Sequence, residues 1–76
     1  GREREGAVKI GKYMTATPVG IKPREVYIVS DRHGGRLAFV EWYPRWRQYV
    51  VDPQEGAVFS ADCLRDLATF CEERAP

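Results

Sequence analysis

The stretch that decides the fold is Phe59-Ser60-Ala61-Asp62-Cys63-Leu64-Arg65-Asp66-Leu67-Ala68-Thr69-Phe70-Cys71. At 100° per residue, Cys63, Leu64, Leu67, Phe70 and Cys71 fall in a stripe about 120° wide, and Asp62, Arg65, Asp66, Thr69, Glu72 and Glu73 lie outside it. Ser60 offers a capping hydroxyl to an orphan backbone N–H. Phe59 and Leu64 occupy the two positions of a hydrophobic staple. Asp62 lies in the first turn, where the positive end of the helix dipole favours a carboxylate. Glu72 and Glu73 sit at the negative end, so the last turn is expected to fray. A helix with one apolar face needs a partner, and the residues before it supply a sheet.

Val26–Ser30 (VYIVS) is β-branched and aromatic and reads as a strand. Asp31-Arg32-His33-Gly34-Gly35 is a turn with two glycines able to take positive φ. Arg36–Tyr43 (RLAFVEWY) is a second strand, Tyr43-Pro44-Arg45-Trp46 a turn with proline at its second position, and Arg47–Val51 a third strand. Asp52–Gly56 is another turn, and Ala57–Phe59 leads extended into the helix. Nearer the N-terminus, Val8–Thr17 is weakly strand-like and interrupted by Gly11, and Thr17–Pro23, with Pro18, Gly20 and Pro23, reads as an irregular connection. Residues 1–7 are expected to be flexible and residues 8–76 to form a single domain. The expected fold is α+β: a three- or four-stranded antiparallel β-meander with one C-terminal amphipathic helix packed on one face. Leu64, Leu67, Phe70 and Cys71 are expected to be buried against residues drawn from Ile28, Leu37, Phe39, Val40 and Val50.

Composition fits a small globular domain. The chain has 76 residues, 43% of them hydrophobic and 12% aromatic, too apolar for a disordered segment. No run of 18 apolar residues exists, so no transmembrane helix is expected, and no basic start leads into an apolar segment of the signal-peptide kind. Cys63 and Cys71 are eight residues apart in the helix, ~12 Å along its axis, too far to pair there. Reduced thiols in the cytoplasm are the expected state. The net charge of +1 conceals an asymmetry: residues 1–50 carry ten Lys/Arg against five Asp/Glu, and residues 51–76 two against six.

Nothing in the chain assembles catalytic chemistry. His33 is the one histidine, placed in a turn where a solvated role is the expectation. No CxxC, HExxH or phosphate-binding glycine loop is present. An enzyme is not expected, nor a metal or a cofactor.

The unusual stretch is Glu41-Trp42-Tyr43-Pro44-Arg45-Trp46-Arg47-Gln48-Tyr49, nine residues holding two Trp, two Tyr and two Arg. Strand alternation sends Trp42 and Tyr43 to opposite faces, so some of these rings must miss the core, with Arg45 and Trp46 at the tip the first candidates. Arginines that contact phosphate and rings that stack on bases would make this hairpin a weak nucleic-acid-binding module. Arg32, Arg36, Tyr43, Arg45, Trp46 and Arg47 are the candidate site, with Lys12, Lys22 and Arg24 as extensions. The alternative is a protein–protein interaction module without catalytic activity, since Trp, Tyr and Arg are also the residues enriched at interface hot spots. A third reading is structural, with large rings filling a small core and arginine stems covering them. The sequence pI near 8.0 argues against a strong duplex binder. The arginines discriminate: gathered on one exposed face with Trp46 they favour DNA or RNA, scattered they do not. A homodimer through an open edge strand is a further option.

Trp42-Tyr43-x-x-Trp46-Arg47-x-Tyr49, then Pro53, Val58-Phe59, Cys63-Leu64-x-Asp66 and Phe70 resemble a group of small phage and prophage proteins that share a W-x-R-Q-Y strand followed by a C-L-x-D helix. Here Trp46-Arg47-Gln48-Tyr49 runs without the intervening residue. The resemblance covers about residues 37–71. It implies a phage or prophage product made in the bacterial cytoplasm, and it carries no functional residue over; in that context a small nucleic-acid-binding accessory protein and a module that binds a host or phage protein both remain open.

Overall fold

The computed structural model describes residues 6–20 and 25–74. Five strands precede one helix: β1 (Val8–Ile10), β2 (Met14–Val19), β3 (Val26–Asp31), β4 (Arg36–Tyr43), β5 (Gln48–Pro53) and α1 (Ala61–Arg74). The strands pair antiparallel in chain order, a meander of five where three or four were expected. The extra strand arises because Val8–Thr17 folds back on itself. Gly11 adopts φ 61, which a side chain would resist, and lets the chain reverse over Gly11–Tyr13, so that Val8 faces Ala16 and Ile10 faces Met14. A Cβ at Gly11 would also collide with the Asp66 carboxylate of α1, so glycine is required there twice over.

β2 continues through Pro18 to Val19, where an irregular connection was expected. Proline is tolerated because β1 pairs only as far as Ala16, leaving Pro18 a neighbour on one side, at Tyr27. Residues 1–5 of the expected flexible segment lie outside the described residues, as do residues 21–23 of that connection and residue 24 after it.

The helix is capped as its sequence requires. The Cys63 N–H donates to Ser60 Oγ at 3.1 Å, and the Leu64 N–H donates to the Ser60 carbonyl at 3.0 Å. The last turn stays regular to Arg74, contrary to the fraying expected from Glu72 and Glu73. Arg74 places its cation at the negative end of the dipole and lays its guanidinium over Phe70, 4.0 Å from the ring centroid.

α1 touches both outer strands, β1 and β5. Four strand spacings of about 4.8 Å would separate those strands by ~19 Å in a flat sheet, wider than a helix of roughly 10–12 Å, so the sheet curls around α1. Leu67 and Phe70 fill the concave side with Ile10, Met14, Ala16, Tyr27, Val29, Ala38, Val40 and Tyr49. Ala16, Val29 and Ala38 form one cross-strand row there, each no more than 1% exposed. Tyr27 meets Phe70 edge-on at 5.1 Å, and Trp42 meets Tyr49 at 5.4 Å, closing one end of the core.

Three of the five sheet residues expected under the helix lie on the other face. Ile28, Phe39 and Val50 lie on the convex side, and Leu64 is 55% exposed. Of the residues expected in the core, Leu67, Phe70 and Val40 are buried. Cys71 and Leu37 are partly so; a β-bulge opposite Val29 and Ser30 interrupts the alternation at Leu37, which packs on the core beside Ala38. The row of Ala16, Val29 and Ala38 gives α1 room to approach, and Met14, Tyr27 and Tyr49 around it close on Leu67 and Phe70.

Candidate interaction site

The hairpin between β4 and β5 is built by its own backbone. The Tyr43 carbonyl accepts from the N–H groups of Trp46 at 3.1 Å and Arg47 at 2.8 Å, with Pro44 between them pre-setting φ. Arg47 closes the loop with φ 57, the one described non-glycine residue at positive φ. This geometry folds the Trp46 ring back against Tyr43, centroids 4.8 Å apart and planes at 71°. Trp46 remains 62% exposed and Tyr43 37%. The pair forms one wall of an open groove of about 320 Å³ on the convex side, whose other lining residues are Glu41, Val50, Val51 and Asp52.

Beside the groove runs the convex sheet face. Thr17, Ile28, Phe39 and Asp52 form one cross-strand row, and Val19 pairs with Val26. Ile28, Phe39, Val26 and Val50 are partly exposed and do not belong to the core, and no described element packs over them.

The candidate site residues separate into two groups. Tyr43, Arg45, Trp46 and Arg47 meet at the β4–β5 tip. Arg32 and Arg36 lie at the other end of β4, roughly 23 Å away at about 3.3 Å per residue. There the Arg32 guanidinium lies over the Tyr13 ring, 5.5 Å from its centroid. At the tip itself Arg47 turns toward the helix and lines a small cavity with Tyr49, Cys71 and Glu72. Neither Arg45 nor Arg47 forms an ion pair among the described residues. Lys22 and Arg24 lie outside the described residues.

Glu41, Val50 and Asp52 belong to the groove and were absent from the sequence-derived set. The register exposes them: with Tyr43 opposite Gln48, Glu41 faces Val50 and Phe39 faces Asp52, all on the side of Tyr43. The usable signal was strand parity once a four-residue loop was assumed.

Asp31 accepts the backbone N–H of Gly35 and of His33, each at 2.8 Å, and these two bonds hold its carboxyl below the usual carboxylate value. Burial pushes the Cys71 thiol up. A cleft of about 410 Å³ between the β1–β2 turn and the start of α1 carries Lys12, Ser60, Asp62 and Arg65, but Ser60 Oγ is taken by the cap and Arg65 pairs with Asp62 at 2.8 Å. Among the described residues no group of His, Cys, Asp or Glu is placed to hold a metal ion, and no helix is long and apolar enough to cross a membrane.

What the fold and site define is a small α+β domain with one helix-covered sheet face and one open face. Comparison with known proteins adds nothing to this class: no protein-family model, no curated protein and no solved structure matches the chain.

Proposed function

We propose that the protein is a non-catalytic interaction module that binds another protein through the β4–β5 tip and the convex sheet face. One observation carries the reading: Trp46 is 62% exposed and stands in edge contact with Tyr43, at the border of a sheet face that no described element covers. An exposed Trp–Tyr pair suits an interface hot spot, since these are the residues enriched there. The resemblance to phage and prophage proteins sets the expected context, a bacterial cytoplasm, in which this reading takes a host or phage protein as partner. The test is affinity capture from nuclease-treated bacterial lysate with the wild-type chain and with Tyr43→Ala/Trp46→Ala in parallel. A protein retained by the first and lost from the second, with both chains melting alike, is the expected outcome. Equal retention removes the tip from the interface.

Nucleic-acid binding is the second reading, favoured by the exposed Arg45 and by the unusual backbone of Arg47 beside Trp46. The separation of Arg32 and Arg36 from the tip ranks it lower. Fluorescence anisotropy with labelled single-stranded and duplex DNA at low and moderate salt decides it. Binding that weakens with salt, with a slope reduced by up to about two phosphate contacts in Arg45→Ala/Arg47→Ala, would place it first.

A further inference from the structure

The groove beside the tip has a chemistry that the sheet face around it lacks. Two rings stand nearly perpendicular, Tyr43 and Trp46, and form a corner of π-faces and edges. The same groove is lined by two carboxylates, Glu41 and Asp52. They come from neighbouring strands and share a side of the sheet, because Glu41 pairs with Val50 and Asp52 with Phe39. Among the described residues no basic side chain lines the groove. Arg47, immediately before β5, lines the separate cavity on the helix side. Neither carboxylate takes part in an ion pair among the described residues.

Aromatic faces attract a cation through the ring quadrupole, and carboxylates at the same opening add Coulomb attraction and hydrogen-bond acceptors. An anion would meet two like charges there, which sets this groove apart from the arginines at the tip. Deepening the interaction reading, and resting on it, we propose that the groove takes a positively charged side chain, arginine or lysine, presented by the partner protein, with its head against Tyr43 and Trp46 and its charge toward Glu41 and Asp52. Val50 supplies an apolar floor for the methylene stem.

The experiment titrates the ¹⁵N-labelled chain with two blocked hexapeptides, one alternating Gly and Arg and one alternating Gly and Glu, observed by NMR. The Gly-Arg peptide is expected to shift the Trp46 indole N–H and the backbone signals of Glu41, Val50 and Asp52 saturably, with a dissociation constant on the order of 1 mM, and to leave Gly34 and Gly35 at the far end unmoved. The Gly-Glu peptide is expected to shift none of these. Glu41→Gln/Asp52→Asn should weaken the Gly-Arg peptide by roughly five- to tenfold at an unchanged melting temperature. Absence of saturable shifts, equal shifts with both peptides, or unchanged affinity in the double variant overturns the proposal.

A photo-cross-linking residue at Arg45, exposed at the tip of the hairpin beside Trp46, separates the two levels of inference in cells. Cross-linking lost in both Tyr43→Ala/Trp46→Ala and Glu41→Gln/Asp52→Asn supports the cationic ligand. Cross-linking lost only in the aromatic variant keeps the interaction reading and overturns the cation. Cross-linking retained in both overturns the two together.

Discussion

The two faces of the sheet are made from the same strands and end in opposite circumstances. On the concave side Ala16, Val29, Ala38 and Val40 are sealed under Leu67 and Phe70. On the convex side Ile28, Phe39 and Val50 are as apolar or more so, yet remain partly exposed. The contrast recurs inside the aromatic hairpin: Trp42 and Tyr49 join the closed core, whereas Tyr43 and Trp46 stay outside. Burial here follows fit to the helix rather than hydrophobicity residue by residue. The apolar surface left over is thereby available for binding.

Substitutions can break or sharpen this contrast. The largest effect is expected from Leu67→Asp, which puts an unpaired charge at the centre of the concave side and should abolish cooperative melting by circular dichroism; Leu67→Ala should cost about 2–5 kcal/mol. A cooperatively melting Leu67→Asp chain would show that the helix does not close this core. Next comes a matched pair on adjacent residues of β4. Ala38→Leu should destabilise by about 1–3 kcal/mol through overpacking under the helix. Phe39→Ala should cost only about 1 kcal/mol, against roughly 3–5 for a Phe in a closed core, because no cavity is enclosed on the open side. Equal losses in chemical denaturation would mean that the convex face is covered after all.

A smaller effect tests the tip. Arg47→Gly exchanges relief of positive-φ strain for added entropy in the unfolded chain, so stability should be unchanged or raised by up to about 1 kcal/mol. A clear loss would show that the Arg47 side chain supports the hairpin. The smallest effect concerns pH. The folded-state pKa of Asp31 is depressed, so its contribution is present above the unfolded carboxylate value near 3.8 and is lost as pH falls through the lower folded value. Asp31→Ala should therefore remove part of the acid limb of the stability profile and leave the alkaline limb alone.

Much of the architecture was legible in the chain. Ser60 announced the start of α1, and VYIVS and RLAFVEWY announced β3 and β4. The choice of face was not legible, because both alternating sets are apolar in these strands: Val26 and Ile28 against Tyr27 and Val29, and Leu37 and Phe39 against Ala38 and Val40. The expected set drew on both, with Ile28, Phe39 and Val50 from the convex side and Val40 from the concave one. The division of Val8–Thr17 into two strands turned on the backbone of Gly11, which composition does not show. At the site, the excess of rings in nine residues pointed to exposure at Arg45 and Trp46. Glu41 and Asp52 entered the groove only through the β4–β5 register, a pairing between residues distant in sequence.

The close approach of Gly11 to Asp66 has a kinetic meaning. β1 pairs with β2 and rests on α1, so the first strand described gains its second support only when the last element exists. During synthesis the strands can pair locally as each emerges, but the concave side stays open until α1 is made. The helix therefore arrives as the closing piece of a nearly complete sheet. Mutations that slow its docking would prolong an intermediate with both faces wet, which makes aggregation during expression a more sensitive reporter of this contact than the final melting temperature.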